Sequence, residues 1–216
     1  MRDEGPKISP ELLLAAYRAG VFPMSEGRDD PEVFWVDPRQ RGILPLDAFR
    51  LSRSLRKTMR RGHLHATTDL AFTRVVEGCA AREETWINGT IFDLYARLHA
   101  QGHAHSVEVW RDDVLVGGVY GVVIGGAFFG ESMFSNATDA SKMALVYLID
   151  RLRTQGFLLF DTQFVTDHLL SLGAVEIPRS TYHARLADAV LRTVDYGPAG
   201  VMPPPQDVIQ RNTQTS

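Results

Sequence analysis

Apolar residues near the start of the chain repeat at the spacing of an α-helix. Ser9 can cap the helix, and Gly20 can end it. A side chain that recurs every three or four positions stays on one helix face. The residues that share it are Leu12, Leu13, Ala16 and Tyr17.

A second amphipathic helix, predicted over residues 52–61, is densely basic. Leu55 and Met59 are expected to face the core, and Gly62 is expected to end the helix. Such a helix either contacts nucleic-acid phosphates or is a solvated surface, and its sequence leaves both open. Its basic side chains are Arg53, Arg56, Lys57, Arg60 and Arg61.

The rest of the chain alternates between extended and helical patterns. Turn dipeptides at 112–113 and 125–126 separate three apolar runs, which predicts an antiparallel meander. The fold class is therefore α/β (α+β) with a mixed, largely antiparallel sheet. Strands are predicted at 34–36, 63–67, 104–111, 114–124, 127–134, 157–161 and 174–177. Helices are predicted from a cap at Asp69 to about residue 80, and at 90–101, 139–155, 166–172 and 180–193.

Composition shifts divide the chain into three parts. Residues 1–37 are interpreted as a small N-terminal lobe and residues 38–195 as the main domain. Residues 196–216 contain three consecutive prolines and many polar residues, which predicts a flexible tail.

Composition also limits the possible functions. The net charge is −3, so RNA contact would need a local basic patch. Cys79 is the only cysteine, and two His-x-His pairs lack further ligands, so no metal site is expected. No apolar run approaches the roughly 18 residues of a membrane helix, and no leader is evident. We therefore expect a cytoplasmic protein without membrane contact.

Polar residues within apolar strands are the candidates for chemistry. Glu131 follows Gly130 among aromatic residues, where a carboxylate is costly unless it has a role or hydrogen bonds. Asp161 and Gln163 follow a buried strand, where α/β folds place ligand sites. The alternatives are a hydrogen-bonded strand edge for Glu131 and an ordinary exit turn for Asp161. Trp86 either stacks on a base, lines a pocket or covers the core.

Ten stretches in order resemble the leucyl/phenylalanyl-tRNA–protein transferases. They include Val-Glu-Gly-Cys-Ala at 76–80, Glu-Thr-Trp-Ile at 84–87, Gly-Glu-Ser-Met-Phe-Ser at 130–135 and Asp-Thr-Gln at 161–163. The others lie at 14–23, 35–39, 102–110, 115–121, 140–142 and 171–174. The resemblance covers most of the chain, from Ser9 to Tyr182. The chain departs from the family at Met24, where a tryptophan is common.

The resemblance implies a GNAT-like acyltransferase domain with a small N-terminal lobe. It implies transfer of leucine or phenylalanine, and less readily methionine, from aminoacyl-tRNA to proteins that begin with Arg or Lys, which marks them for degradation. No cofactor or metal is implied. Asp161, Gln163 and Glu131 match the catalytic residues. The positions matching substrate-binding residues are Trp86, Phe128, Ser132, Met133 and Tyr17, and the basic helix is assigned to tRNA.

Two rival functions remain at this stage. An acyl-CoA-dependent N-acetyltransferase would hold pyrophosphate on a glycine-rich turn, but residues 136–139 contain no glycine and end in Asp139. A non-catalytic RNA-binding module would use the basic helix and Trp86 and would leave Glu131, Asp161 and Gln163 unexplained.

Overall fold

A computed structural model describes residues 8–28, 30, 32–82 and 85–213. Its main sheet has eight strands, and a separate two-stranded sheet lies in the N-terminal region. The strands are β1 (Phe22–Met24), β2 (Phe34–Val36), β3 (Gln40–Ile43), β4 (His65–Thr68), β5 (Ala104–Arg111), β6 (Val114–Ile124), β7 (Ala127–Ser135), β8 (Leu159–Gln163), β9 (Val175–Pro178) and β10 (Gly200–Val201). The helices are α1 (Pro10–Arg18), α2 (Arg53–Arg60), α3 (Phe72–Ala80), α4 (Gly89–Ala100), α5 (Ala140–Gln155), α6 (Asp167–Leu172), α7 (Arg179–Val190) and α8 (Pro205–Thr213).

The main sheet runs in the order β10-β4-β5-β6-β7-β8-β3-β9. Every neighbouring pair is antiparallel except β7 and β8, which α5 connects in parallel. The predicted α/β class with a mixed, largely antiparallel sheet is thus confirmed.

Apolar side chains cover both faces of this sheet. Val119 packs into a core with α2, α5 and α8, whereas the next residue, Tyr120, belongs to a core with α1, α3, α4 and α7. Successive strand residues point to opposite faces, so a strand buried on both sides needs apolar residues at nearly every position. This explains the continuous apolar run of β6.

Several predicted helix ends are confirmed by hydrogen bonds. The side chains of Ser9, Ser52 and Thr166 accept from the backbone N–H three residues later. On α2, Leu55 and Met59 are buried as expected. The short strands β1 and β3 were not predicted, because turn residues surround them.

The predicted cap at Asp69 is wrong. Helix α3 begins at Phe72, and no side chain caps it. The Asp69 carboxylate instead accepts a hydrogen bond from the backbone N–H of Ser106 and lies 2.7 Å from Nδ1 of His105. These groups belong to the neighbouring strand β5, a contact that no local pattern contains.

The segment after Asp195 packs against the domain, which corrects the predicted flexible tail. Strand β10 pairs with β4, and Val208 and Ile209 of α8 are buried beside α5. Arg151 of α5 donates hydrogen bonds to the carbonyl oxygens of Tyr196 and Pro198. The consecutive prolines lead into α8, where proline is tolerated in the first turn.

Candidate active site

The candidate site lies where strands β7 and β8 separate. The two strands pair in parallel over three positions, ending with Phe129 beside Asp161. Beyond this point Gln163 reaches across the gap, and its Nε2 donates to Oε1 of Glu131 at 3.1 Å. The structure therefore brings together Glu131, Asp161 and Gln163, which the sequence places in two distant segments.

A β-bulge sets the direction of Glu131. Gly121 pairs with Gly130, but the preceding Tyr120 pairs with Ser132, so Glu131 is the extra residue on β7. A bulge re-aims a side chain locally and is common beside active sites. A side chain at Gly121 would collide with the carbonyl oxygen of Phe129, so the bulge needs glycine opposite it.

Among the described residues, the groups that donate to the Glu131 carboxyl are all neutral. Tyr17 lies 2.7 Å from Oε1, Tyr95 lies 2.6 Å from Oε2, and the two hydroxyls are 2.7 Å apart. Each phenol has one hydrogen, so two hydrogens serve three contacts. A proton on Glu131 would supply the third hydrogen and complete the ring of hydrogen bonds.

Burial raises the pKa of Glu131 to about 7. The hydrogen bonds from Tyr95 and Tyr17 lower the pKa, the charge of Asp161 raises it, and that of Arg41 lowers it. Glu131 can therefore gain or lose a proton near neutral pH. Burial and the nearby Glu131 raise the pKa of both tyrosines well above the usual range, so they remain neutral.

Asp161 has a different environment, because it is paired with a buried cation. Arg41 donates through Nε to Oδ1 at 3.0 Å and through Nη2 to Oδ2 at 2.7 Å. The Tyr182 hydroxyl donates to Oδ2 at 2.7 Å, and the backbone N–H of Gln163 donates to Oδ1 at 2.8 Å. Each oxygen of this fully buried carboxylate accepts two hydrogen bonds.

Gln163 has a left-handed backbone, with φ of 61°. This conformation costs about 1–3 kcal/mol for a residue other than glycine, so the surroundings must stabilise it. Asp161 and Glu131 do so by accepting from its backbone and side chain. Gly42 lets β3 approach this turn, because a Cβ there would lie 2.7 Å from the carbonyl carbon of Phe164.

An apolar cavity of about 90 Å³ lies beside Glu131. The predicted residues Ser132 and Met133 line it. Phe128 does not, because it lies in the core with its ring edge-on to Phe160, 5.3 Å between centroids. The other lining residues are Val119, Gly130, Leu145, Phe160, Thr162 and Leu169.

Of the two other residues assigned to substrate, Tyr17 contacts Glu131 and Trp86 contacts Tyr95. Tyr17 is fully buried and donates to Glu131, so it orients the carboxyl from within the core. Trp86 is half-buried and lies edge-on to Tyr95 at 6.4 Å between ring centroids. Glu84, part of the same motif, is outside the described residues.

The basic helix does not line the cavity beside Glu131, but it contacts the start of α5, where an open cleft lies. Thr58 of α2 donates to Asp139, at the start of α5. A cleft of about 420 Å³ there continues through Ser135 and Ser141 into a cleft of about 470 Å³ bordered by Met133. Arg53, Lys57, Arg60 and Arg61 are exposed, whereas Arg56 is half-buried.

The remaining features considered from the sequence are Cys79, a metal site and a membrane helix. Cys79 is 1% exposed, as expected for core packing, and burial raises the pKa of its thiol to about 12. Across the described residues, no group of three or more His, Cys, Asp or Glu side chains could hold a metal ion. Within the same part of the chain, no helix has the length and apolar character that a membrane crossing requires.

Three residues of the site were not singled out from the sequence. Arg41 lies in an unpredicted strand, and Tyr95 and Tyr182 occupy helical rows that indicate core packing. A basic residue directly before the apolar end of β3 is a weak sign of a buried ion pair. It becomes meaningful only once β8 is known to lie alongside.

Comparison with known proteins identifies the class of protein. The family model described as leucyl/phenylalanyl-tRNA protein transferase matches residues 43–187, and the model of the N-terminal domain matches residues 7–39. The matches span both carboxylates, Gln163 and the tyrosines around them. Together with the fold and site, they define an aminoacyltransferase.

Relatives agree over nearly the whole chain. The leucyl/phenylalanyl-tRNA–protein transferase of Cereibacter sphaeroides is 60% identical over 98% of this chain and 99% of its own. The leucyl/phenylalanyl-tRNA–protein transferase of a Ruegeria species is 62% identical over 97% of this chain and 99% of its own. The chain belongs to the leucyl/phenylalanyl-tRNA–protein transferase family and moves leucine or phenylalanine from aminoacyl-tRNA to a protein N-terminus.

A solved structure supports the fold alone. FemX is similar with a TM-score of 0.50 at 12% identity, over 80% of this chain and 68% of its own.

The raised pKa of Glu131 predicts that the protein becomes less stable as pH rises. The usual pKa is 4.5 and the folded value is about 7, so folding takes up a proton between these values. This contribution is fully present below pH 4.5 and is lost as pH rises through 7, by up to about 3 kcal/mol. Glu131→Gln should remove this decline. The measurement is the free energy of unfolding from pH 5 to 8.

Glu77→Gln, on the exposed face of α3, is the control. It should retain the pH dependence of the natural chain. If Glu131→Gln retains it as well, Glu131 does not titrate in this range.

Proposed function

We propose that Glu131 accepts the proton that the acceptor α-amine loses as it attacks the aminoacyl ester. The observation that carries this proposal is a buried carboxyl, hydrogen-bonded only by neutral groups, at the border of an apolar cavity. An amine must be neutral to act as a nucleophile. A base with a pKa near the working pH is best suited to help it.

In this reaction the amine nitrogen bonds to the ester carbonyl carbon, and the bond to the ribose oxygen of tRNA breaks. One proton passes from the nitrogen to Glu131, and the same proton passes on from Glu131 to the departing ribose oxygen, which restores the carboxylate. Gln163 orients Glu131 through its carboxamide, and Tyr17 and Tyr95 stabilise either protonation state. The donor ester is already activated, so positioning can supply much of the rate, and no cofactor or metal is required.

The same carboxylate favours a cationic acceptor, such as a protein that begins with Arg or Lys. Its donors carry no charge, so it attracts cations without a competing partner in direct contact. Asp161 contributes little to this attraction, because Arg41 neutralises it. Addition of Leu or Phe to such proteins would mark them for degradation by the N-degron route.

The cavity beside Glu131 suits the donor side chain. Val119, Leu145 and Leu169 give it an apolar wall, and Met133 can adjust its shape. Such a cavity binds leucine or phenylalanine and admits methionine less readily, because discrimination by shape is limited to about 10–200-fold per methylene.

The two clefts provide a path for the tRNA acceptor end. They run from Asp139, which accepts a hydrogen bond from Thr58 of α2, to Met133, which lines the donor cavity. The exposed cations of α2 can contact phosphates without reading sequence. Trp86, beside Tyr95, is positioned to stack against the terminal adenosine.

The fold is GNAT-like in this proposal. Its support is the separation of parallel strands β7 and β8 at the reaction centre, together with the likeness to FemX. A cytoplasmic location follows from the aminoacyl-tRNA substrate.

The proposed reaction predicts transfer of labelled leucine from Leu-tRNA to a peptide with N-terminal Lys or Arg, and little transfer to an otherwise identical Ala peptide. Glu131→Gln should reduce the rate by about a hundredfold or more, since it removes the base. Binding of Leu-tRNA to this variant should change little. Glu77→Gln is again the control.

Equal labelling of the Ala peptide would refute the acceptor rule. An unchanged rate in Glu131→Gln would refute its role. Binding of intact Leu-tRNA without transfer to any peptide would support an RNA-binding module instead.

The donor cavity predicts a change of specificity for Leu145→Ala. Removing this side chain enlarges the cavity, so phenylalanine should gain over leucine by about tenfold in relative kcat/KM. Leu148→Ala is the matched control, because it is buried on the same helix but does not line the cavity. An equal Phe-to-Leu ratio in the two variants would argue against this cavity as the donor site.

The tRNA path predicts that charge reversal on α2 weakens binding. Lys57→Glu combined with Arg60→Glu should raise the Kd for tRNA at low salt and flatten its salt dependence, because fewer counterions are released. Arg185→Glu, exposed on α7, should change the Kd much less. If both proteins bind tRNA with the same affinity, α2 is not part of the interface.

A further inference from the structure

Arg41 is a fully buried arginine with polar and aromatic partners on all sides. Besides its two bonds to Asp161, Nη1 donates to the carbonyl oxygen of Gly20 at 2.9 Å. Its guanidinium lies between the rings of Phe22 and Tyr182, 4.5 and 4.4 Å from their centroids. Planar stacking and a forked set of donors are properties that lysine does not share.

These contacts leave Asp161 poorly suited to act on a substrate. Both oxygens already accept two hydrogen bonds, and the side chain is 0% exposed. A carboxylate has about four acceptor positions, so no position is left for an amine proton. Asp161 instead bonds to the backbone of Gln163, the residue in the left-handed conformation.

We infer that Arg41 and Asp161 are positioning residues, which together hold the Gln163 carboxamide against Glu131. The chain of contacts runs from the Arg41 guanidinium to the Asp161 carboxylate, then to the Gln163 backbone and through its side chain to Glu131. Neither Arg41 nor Asp161 touches the reacting atoms in this assignment. The inference rests on the proposed function, because its test follows the ionisation of Glu131 through the activity.

The same arginine attaches the N-terminal region to the reaction centre. Gly20 follows α1 and Phe22 begins β1, so both belong to the segment before the main sheet. Tyr17 of α1 also reaches Glu131 directly. A shift of this segment would therefore disturb both the Arg41 contacts and the tyrosine pair.

Arg41 and Asp161 act on Glu131 with opposite charges, which makes the role testable. Asp161 raises the pKa of Glu131, and Arg41 lowers it. Asp161→Asn leaves the cation, so Glu131 should ionise at lower pH. Arg41→Met leaves the buried carboxylate, so Glu131 should ionise at higher pH.

The experiment measures kcat against pH at saturating Leu-tRNA and Lys peptide. The natural chain should lose activity in acid, and this acid limb should be absent in Glu131→Gln. The acid limb should shift to lower pH in Asp161→Asn and to higher pH in Arg41→Met, each by about one pH unit. In both variants kcat should fall by about tenfold to a hundredfold through misplacement, with KM for Leu-tRNA nearly unchanged.

The Asp150–Arg211 pair is the matched control. Arg211 also donates twice to a buried aspartate, at 2.8 and 2.7 Å, but it joins α8 to α5. Asp150→Asn and Arg211→Met should therefore leave the acid limb in place. A purely structural role for Arg41 predicts lost stability, as in this control pair, with kcat of the folded protein nearly unchanged.

Shifts in one direction, or no shift in either variant, would overturn the inference. An acid limb that persists in Glu131→Gln would refute the proposed base instead, so the two failures are distinguishable. If Arg41→Met and Asp161→Asn do not fold, Tyr182→Phe decides, because it removes one donor to Asp161 and keeps the stacked ring. It should lower kcat severalfold, and an unchanged kcat would overturn the inference.

Discussion

A buried ion pair between Arg41 and Asp161 holds together the edge of the sheet on which the site depends. Transfer of two charges out of water costs several kcal/mol per ion unless the pair is well aligned and fully hydrogen-bonded. Here two forked bonds, the Tyr182 hydroxyl, the Gly20 carbonyl and the Gln163 backbone meet that requirement. Removal of one partner from such a pair typically costs about 3–5 kcal/mol. The pair thereby couples β3, β8, α7 and the N-terminal segment.

The site contains two buried carboxyl groups whose surroundings suit them to different tasks. Asp161 faces a cation and has no acceptor position left. Glu131 faces neutral donors, and burial raises its pKa to about 7. Different environments around two neighbouring carboxyls commonly give them separate roles. This contrast supports the proposed roles of Glu131 as the proton acceptor and of Asp161 as a positioning residue for Gln163.

In the proposed function, the separation of β7 from β8 allows a small domain to contact three parts of a large substrate. Glu131 borders the gap, the apolar cavity lies beside it, and open clefts lead from Met133 to the start of α5. A donor side chain, an ester and an acceptor end of tRNA can therefore converge without a dedicated cofactor site. The bulge at Glu131 and the left-handed Gln163 are the local irregularities that create this convergence.

The sequence by itself determined most of the local structure. The caps at Ser9 and Thr166, the meander of β5 to β7 and the buried face of α2 follow from spacing and turn chemistry, which act within a few residues. The family followed from motifs in order, and with it the assignment of Glu131, Asp161 and Gln163. Only the tertiary structure decided which groups surround them. Arg41 and Asp161 are 120 residues apart, and Tyr17 and Glu131 are 114 apart. Such contacts depend on strand order and helix packing, which local periodicity does not encode. For the same reason the packed C-terminal helix and the place of Phe128 behind the cavity could not be read from the chain.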